Sequence, residues 1–165
     1  MKKSKIYALC AVIIIIDQVV KLLVTNNMEL MQEIVVIPNF FTLFYVENTG
    51  AAFGMFEGAI LPFIIVGLGV FFYIARLVDK TKKINLLNGI AFGLLMGGIV
   101  GNLIDRILYK AVVDYLQFII GGNRFAVFNI ADIAIVVGVS LLVIEMIKET
   151  IDNIKKKKKL KYKST

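Results

Sequence analysis

Histidine is absent from this 165-residue chain, and cysteine occurs once. Without histidine there is no Ser-His or Cys-His nucleophile and none of the common histidine-based zinc sites. Cys10 alone can form neither an intrachain disulfide nor a thiolate cluster, and it reads as a small packing residue. Neither a metal nor a cofactor is therefore expected. Any chemistry must come from carboxylates, amides, hydroxyls, lysine or arginine. Acidic charge is also scarce, with 12 Asp and Glu against 19 Lys and Arg, for a net charge of +7.

What is abundant is hydrocarbon. The chain is 59% hydrophobic with a mean hydropathy of +0.83, the profile of an integral membrane protein. Its length suits a single bundle and a single domain. The lysines sit at the N-terminus (Lys2, Lys3, Lys5), in a middle run (Lys80, Lys82, Lys83) and in a tail from Lys155. Basic clusters flanking apolar spans orient a chain in the membrane and touch anionic headgroups, so nucleic acid is not an expected partner and membrane lipids are.

Four stretches are long enough to cross a bilayer core of about 30 Å. They run roughly over 6–24, 59–77, 86–104 and 128–147. The first begins "MKKSK" like a secretory signal, but it contains Asp17, Gln18 and Lys21 and no small-residue cleavage pattern follows. A retained helix is expected. No Lys or Arg occurs between Lys21 and Arg76, so the loop between the first two spans is the translocated one. Both termini are then cytoplasmic, and the basic tail at 152–165 is expected to be disordered. The first external segment carries "IVVIPNFFTLFYVENTG", a β-branched and aromatic run broken by Pro38 and Gly50. It reads as one or two short strands lying against the membrane or the bundle. The expected fold is an all-α membrane protein of four transmembrane helices with a small extracytoplasmic β-cradle between helices 1 and 2.

The polar residues gather at one depth. Asp17 lies in the outer half of the first span, Asn102 and Asp105 at the outer end of the third, and Asn129 and Asp132 at the outer end of the fourth. Asp114 falls in the loop between the last two. Most have an ordinary structural reading. Asp17 and Lys21 are four apart on one helix face and can pair. Asn129 can cap the fourth helix, and Asn102 can cross-link helices. Asp105 and Arg106 suit a surface pair or a loop anchor, and Gly93, Gly97, Gly98 and Gly101 suit close helix packing. Ser140 lies deep in the fourth span with no base nearby.

Asp114 and Asp132 resist that treatment. Each is flanked by apolar residues with no local partner, although Arg106 or Arg124 could reach one through the fold. A carboxylate at a helix centre in the bilayer costs about 2.5–3.5 kcal/mol on insertion scales. At matching depth, joined by a segment that can turn at Gly121-Gly122, the two favour a shared site. Two carboxylates at about 4 Å repel by about 4 kcal/mol at an effective dielectric near 20, or roughly three pKa units. One proton is then shared at neutral pH. The charged member can activate water, while the protonated one polarises a carbonyl and later protonates a leaving amine.

Five blocks carry a resemblance. "DQVVK" at 17–21, "ENTGAAFG" at 47–54, "GNLIDR" at 101–106, "VVDYL" at 112–116 and "FNIAD" at 128–132 resemble, in order and spacing, the motifs of bacterial lipoprotein signal peptidases. The resemblance implies a metal-independent aspartic endopeptidase of the bacterial cytoplasmic membrane, active at its extracytoplasmic face. It would cut the signal peptides of diacylglyceryl-modified prolipoproteins just before the lipidated cysteine. It implies Asp114 and Asp132 as the catalytic pair. Asn48, Gly50, Asn102, Asp105, Arg106 and Asn129 would support substrate, and Asp17 with Lys21 would be a structural or orienting pair. It further implies a lipidated signal peptide as partner, the cyclic peptide globomycin as inhibitor, and a monomer. Two rival readings are a small proton- or ion-coupled transporter or channel, and a non-catalytic assembly protein. A relay should string polar groups through both leaflets.

Overall fold

The computed structural model describes residues 1–50, 58 and 60–163, with only the backbone of 158–163. Four helices carry the fold: α1 Lys3–Asn27, α2 Ile60–Lys80, α3 Leu86–Tyr109 and α4 Ile130–Lys163. All four are long and apolar enough to span a membrane. Between α1 and α2 lie β1 Glu33–Ile37 and β2 Phe41–Asn48; between α3 and α4 lie β3 Val112–Ile120 and β4 Asn123–Arg124. Both connections leave the same end of the bundle, so the strands join there as one antiparallel sheet ordered β1-β2-β3-β4.

Helix α3 is the central element. It packs against each of the other three helices, and its apolar stretch is the least hydropathic of the four spans and the most buried, because its faces meet protein. Its glycines make that possible. A Cβ on Gly97 would lie 2.9 Å from the Cys10 carbonyl oxygen of α1, and one on Gly98 would lie 2.4 Å from the Ala131 carbonyl oxygen. The helices approach at those points to backbone contact. Residues Ile6, Cys10, Ile74, Val78 and Met96 fill the half of the bundle away from the sheet. Asn85 caps α3 by accepting from the Asn88 N–H at 2.7 Å, and Lys110 in the left-handed region closes its far end.

The first loop folds as the β-branched run implies. Pro38 and Asn39 turn the chain between β1 and β2, and β2 ends two residues before Gly50. The residues Ala51–Gly54 of the "ENTGAAFG" block, and Ala59 at the expected start of the second span, lie outside the described residues.

Three expectations need correction. The segment holding Asp114 is a nine-residue strand paired to β2, not a loop, so the sheet is shared by both connections and does not belong to the first alone. Its first four residues, Val112–Tyr115, are buried on both faces. That explains the absence of an alternating pattern. Helix α3 runs to Tyr109, five residues past the expected end. Helix α4 continues through the lysine tail to Lys163; lysine is a good helix former, and the apolar span has already nucleated the helix.

Gly98→Ala should separate α3 from α4 and destabilise the protein by about 1–3 kcal/mol. Gly69, whose added Cβ meets nothing within 4 Å, provides the control. Thermal unfolding in detergent should show a lowered midpoint for Gly98→Ala and little change for Gly69→Ala.

Candidate functional site

The sheet end of the bundle collects a buried polar cluster. Asp17, Lys21, Asn102, Asp105, Asp114 and Asn129 are each at most 7% exposed. At its centre, the Lys21 ammonium has three donors and three acceptors. It pairs with Asp17 and with Asp105, each at 2.8 Å, and donates to the Asn102 side-chain oxygen at 3.0 Å. Asp17 also accepts from the Ala131 N–H at 2.9 Å, and Asp105 from the Val113 N–H at 3.2 Å. Gln18 ties the acids together further, donating to Asp105 at 2.8 Å and to Asp17 at 3.3 Å. Gly101 makes room for this arrangement, since a Cβ there would fall 2.6 Å from an Asp17 oxygen.

Ala131 and Val113 are the residues just before Asp132 and Asp114. Asp114 stands on β3 opposite Val46, with Asn48 on the same face two pairs along. Its carboxylate accepts from Asn48 at 2.9 Å and from Asn129 at 2.7 Å. Asp132 occupies the first turn of α4 and accepts from the Asn102 amide at 2.7 Å and from the Asn129 N–H at 3.1 Å. Asn129 caps that helix by accepting from the Asp132 N–H at 3.0 Å, completing a reciprocal capping box. Its amide also donates to the Asn102 oxygen at 3.1 Å. Capping and bridging are thus the work of one side chain.

Both aspartates line one cavity of about 280 Å³, with Asn48, Gly50, Asn102 and Arg106 around them. Val136, on the outer face of α4 and 64% exposed, also lines it, so the cavity reaches the lipid-facing surface. Arg106 lies over the Phe63 ring of α2 at 5.1 Å and donates to the Gly50 carbonyl at 3.4 Å. Burial, and then the nearby charge of Asp132, push the Asp114 carboxyl up to about 7, despite the amide donors of Asn48 and Asn129. Such a group exchanges its proton near neutral pH.

All ten sequence-selected residues stand at this end of the bundle, and two of the readings shift. Asp105 is no surface pair with Arg106; it is fully buried on Lys21 and anchors the start of β3. Arg124 does not reach the aspartates but reaches back to Glu33 of β1, with two contacts at 2.9 and 3.1 Å. Gln18 was missed as a participant, although a lone amide in an apolar span beside Asp17 was a signal. Among the described residues the buried polar side chains lie at this end only, which is not the layout of a relay through both leaflets.

A family model for signal peptidase (SPase) II matches residues 9–148. The lipoprotein signal peptidase of Symbiobacterium thermophilum is 42% identical over 143 residues, covering 84% of this chain and 91% of that protein. That of Bacillus subtilis is 40% identical over 152 residues, covering 92% and 97%. A bacterial membrane enzyme solved in meso at 2.3 Å superposes with a TM-score of 0.83 at 33% identity, covering 89% of this chain and 90% of that one.

An acid whose folded pKa lies above its unfolded value holds extra protons in the folded state. The stability this lends is present below about pH 4 and is lost as pH rises through about 7. Asp114→Asn removes that slope. Its unfolding midpoint should fall less than that of the unmodified protein between pH 5 and pH 8, and should be the higher of the two at pH 8.

Proposed function

The chain belongs to the signal peptidase II family, and from that premise we propose that it is an aspartic endopeptidase with Asp114 and Asp132 as its catalytic pair. Family and helices together make it a bacterial multi-pass membrane protease. The substrate would be a prolipoprotein signal peptide, cut on the N-terminal side of a diacylglyceryl-modified cysteine. The observation that carries the reading is the shared cavity, with Asn129 hydrogen-bonded to Asp114 and capping the helix that begins at Asp132.

The chemistry needs one proton between two carboxyls. The ionised member draws a proton from water as the oxygen attacks the scissile carbonyl, which the protonated member polarises by donating to its oxygen. Breakdown returns a proton to the departing amine and leaves the new carboxylate on the signal peptide. Asn48 and Asn129 each hold one oxygen of Asp114 and Asn102 holds one of Asp132, while Arg106 and Gly50 border the cavity that the substrate would enter. The apparent pKa values belong to the pair jointly.

The lysine distribution supports a reading with both termini inside and the sheet, with the cavity, on the extracytoplasmic side. A lipidated substrate tethered by its acyl chains and its signal helix presents its scissile bond at that depth. Membrane anchoring then supplies positioning that a soluble protease takes from a cleft. Globomycin would occupy the same cavity.

Purified protein should cleave a peptide bearing a prolipoprotein cleavage sequence and a diacylglyceryl cysteine, and cleave the unlipidated peptide far less well. Asp114→Asn and Asp132→Asn should each lower kcat by on the order of 10⁴ while the protein stays folded. Full turnover by either variant sinks the dyad. The pH–rate profile should be bell-shaped, one limb for each apparent pKa of the pair.

A further inference from the structure

The three acceptors of Lys21 have one property in common: each hydrogen-bonds either an aspartate of the pair or the residue just before one. Asp17 holds the Ala131 N–H, one residue before Asp132. Asp105 holds the Val113 N–H, one residue before Asp114. Asn102, its oxygen turned toward Lys21 and Asn129, is left with its amide aimed at Asp132. The two aspartates come from different elements, a strand and a helix, and the strand meets the residues leading into that helix through Leu116 on Phe128 and Asp114 on the Asn129 amide. One ammonium therefore adds a second tie between the segment that carries Asp114 and the segment that carries Asp132, and sets the flip of the Asn102 amide.

We propose that Lys21 is a positioning residue that fixes the separation and relative orientation of the Asp114 and Asp132 carboxyls through its three N–H donors. The inference rests on the reading of those two aspartates as the catalytic pair. Charge alone would ask only for a cation near Asp17 and Asp105. The geometry asks for three convergent N–H groups, which an ammonium supplies and a planar guanidinium does not. A misplacement of about 1 Å at a reacting group can cost 10²-fold in rate. The signature is a loss in kcat at unchanged KM, because the cavity that takes the substrate keeps its walls.

A second cavity makes the test sharper. About 410 Å³ in volume, it lies on the other side of the cluster, and Gln18, Lys21, Leu22, Tyr45 and Asp105 line it. It gives a small amine a route to the place a shortened Lys21 would vacate.

Lys21→Arg and Lys21→Ala are to be compared with the unmodified protein on the lipidated peptide, per mole of folded enzyme. Both should lose about 100-fold in kcat with KM within about twofold, and the two limbs of the pH–rate profile should move relative to each other. Propylammonium should restore Lys21→Ala at least about tenfold and saturably, as the N–H donors return. Tetramethylammonium, a cation without N–H, should not. Lys21→Arg with unmodified kcat and pH profile overturns the proposal, as does equal rescue by both cations. A variant that cannot be recovered folded, Lys21→Arg included, assigns Lys21 to the fold and overturns it too. The catalytic reading fails separately: Asp114→Asn at full activity removes the dyad, whereas an inactive Asp114→Asn beside a fully active Lys21→Arg removes only the positioning role.

Discussion

A single buried ammonium, that of Lys21, is the constraint on which the polar end of this bundle depends. Taking a lysine and two carboxylates out of water costs several kcal/mol per ion unless geometry and further hydrogen bonds compensate. Here the compensation is complete. Every donor on Lys21 has a partner, and the carboxylates of Asp17 and Asp105 also accept from backbone N–H groups that helix and strand termini would otherwise leave unsatisfied. The cluster thereby does what a disulfide or a metal does elsewhere: it joins segments distant in sequence at fixed spacing, in a chain with one cysteine and no histidine.

The backbone accommodates the cluster at a cost in side chains. Gly101 faces Asp17 so closely that no Cβ fits, and Gly98 one turn earlier meets the first turn of α4. The residues that let α3 approach α4 are therefore also the residues that leave room for charge between them. Packing and electrostatics are one problem at this end of the molecule, whereas among the described residues the buried core of the opposite half is apolar.

Much of this was legible before any coordinates. Hydropathy located the four helices, and the i, i+4 spacing of Asp17 and Lys21 gave their ion pair. The residue types at Pro38 and Gly50 gave the breaks around β1 and β2. Strand β3 was not legible, because a strand buried on both faces loses its alternation and "VVDYLQFII" reads like membrane sequence until the β2 partner is known. Of the two readings of Asp105, the anchor holds and the surface pair fails, for a related reason. Its neighbour in sequence is Arg106, but consecutive residues of an α-helix stand about 100° apart, so the two point in different directions, toward Lys21 and toward Phe63. Asn129 shows the limit of choosing between a structural and a functional reading. It is a helix cap and an aspartate ligand at once, so the helix end and the site geometry cannot be altered separately.

The lipid-facing Val136 in the cavity wall has a kinetic consequence. A pocket with such a wall is reachable sideways, by molecules that never leave the bilayer. For them, encounter is a two-dimensional search, and the quantity that governs saturation is the number of molecules per unit area of membrane. Diluting the aqueous phase would leave that quantity untouched, while adding bulk lipid or detergent would lower it.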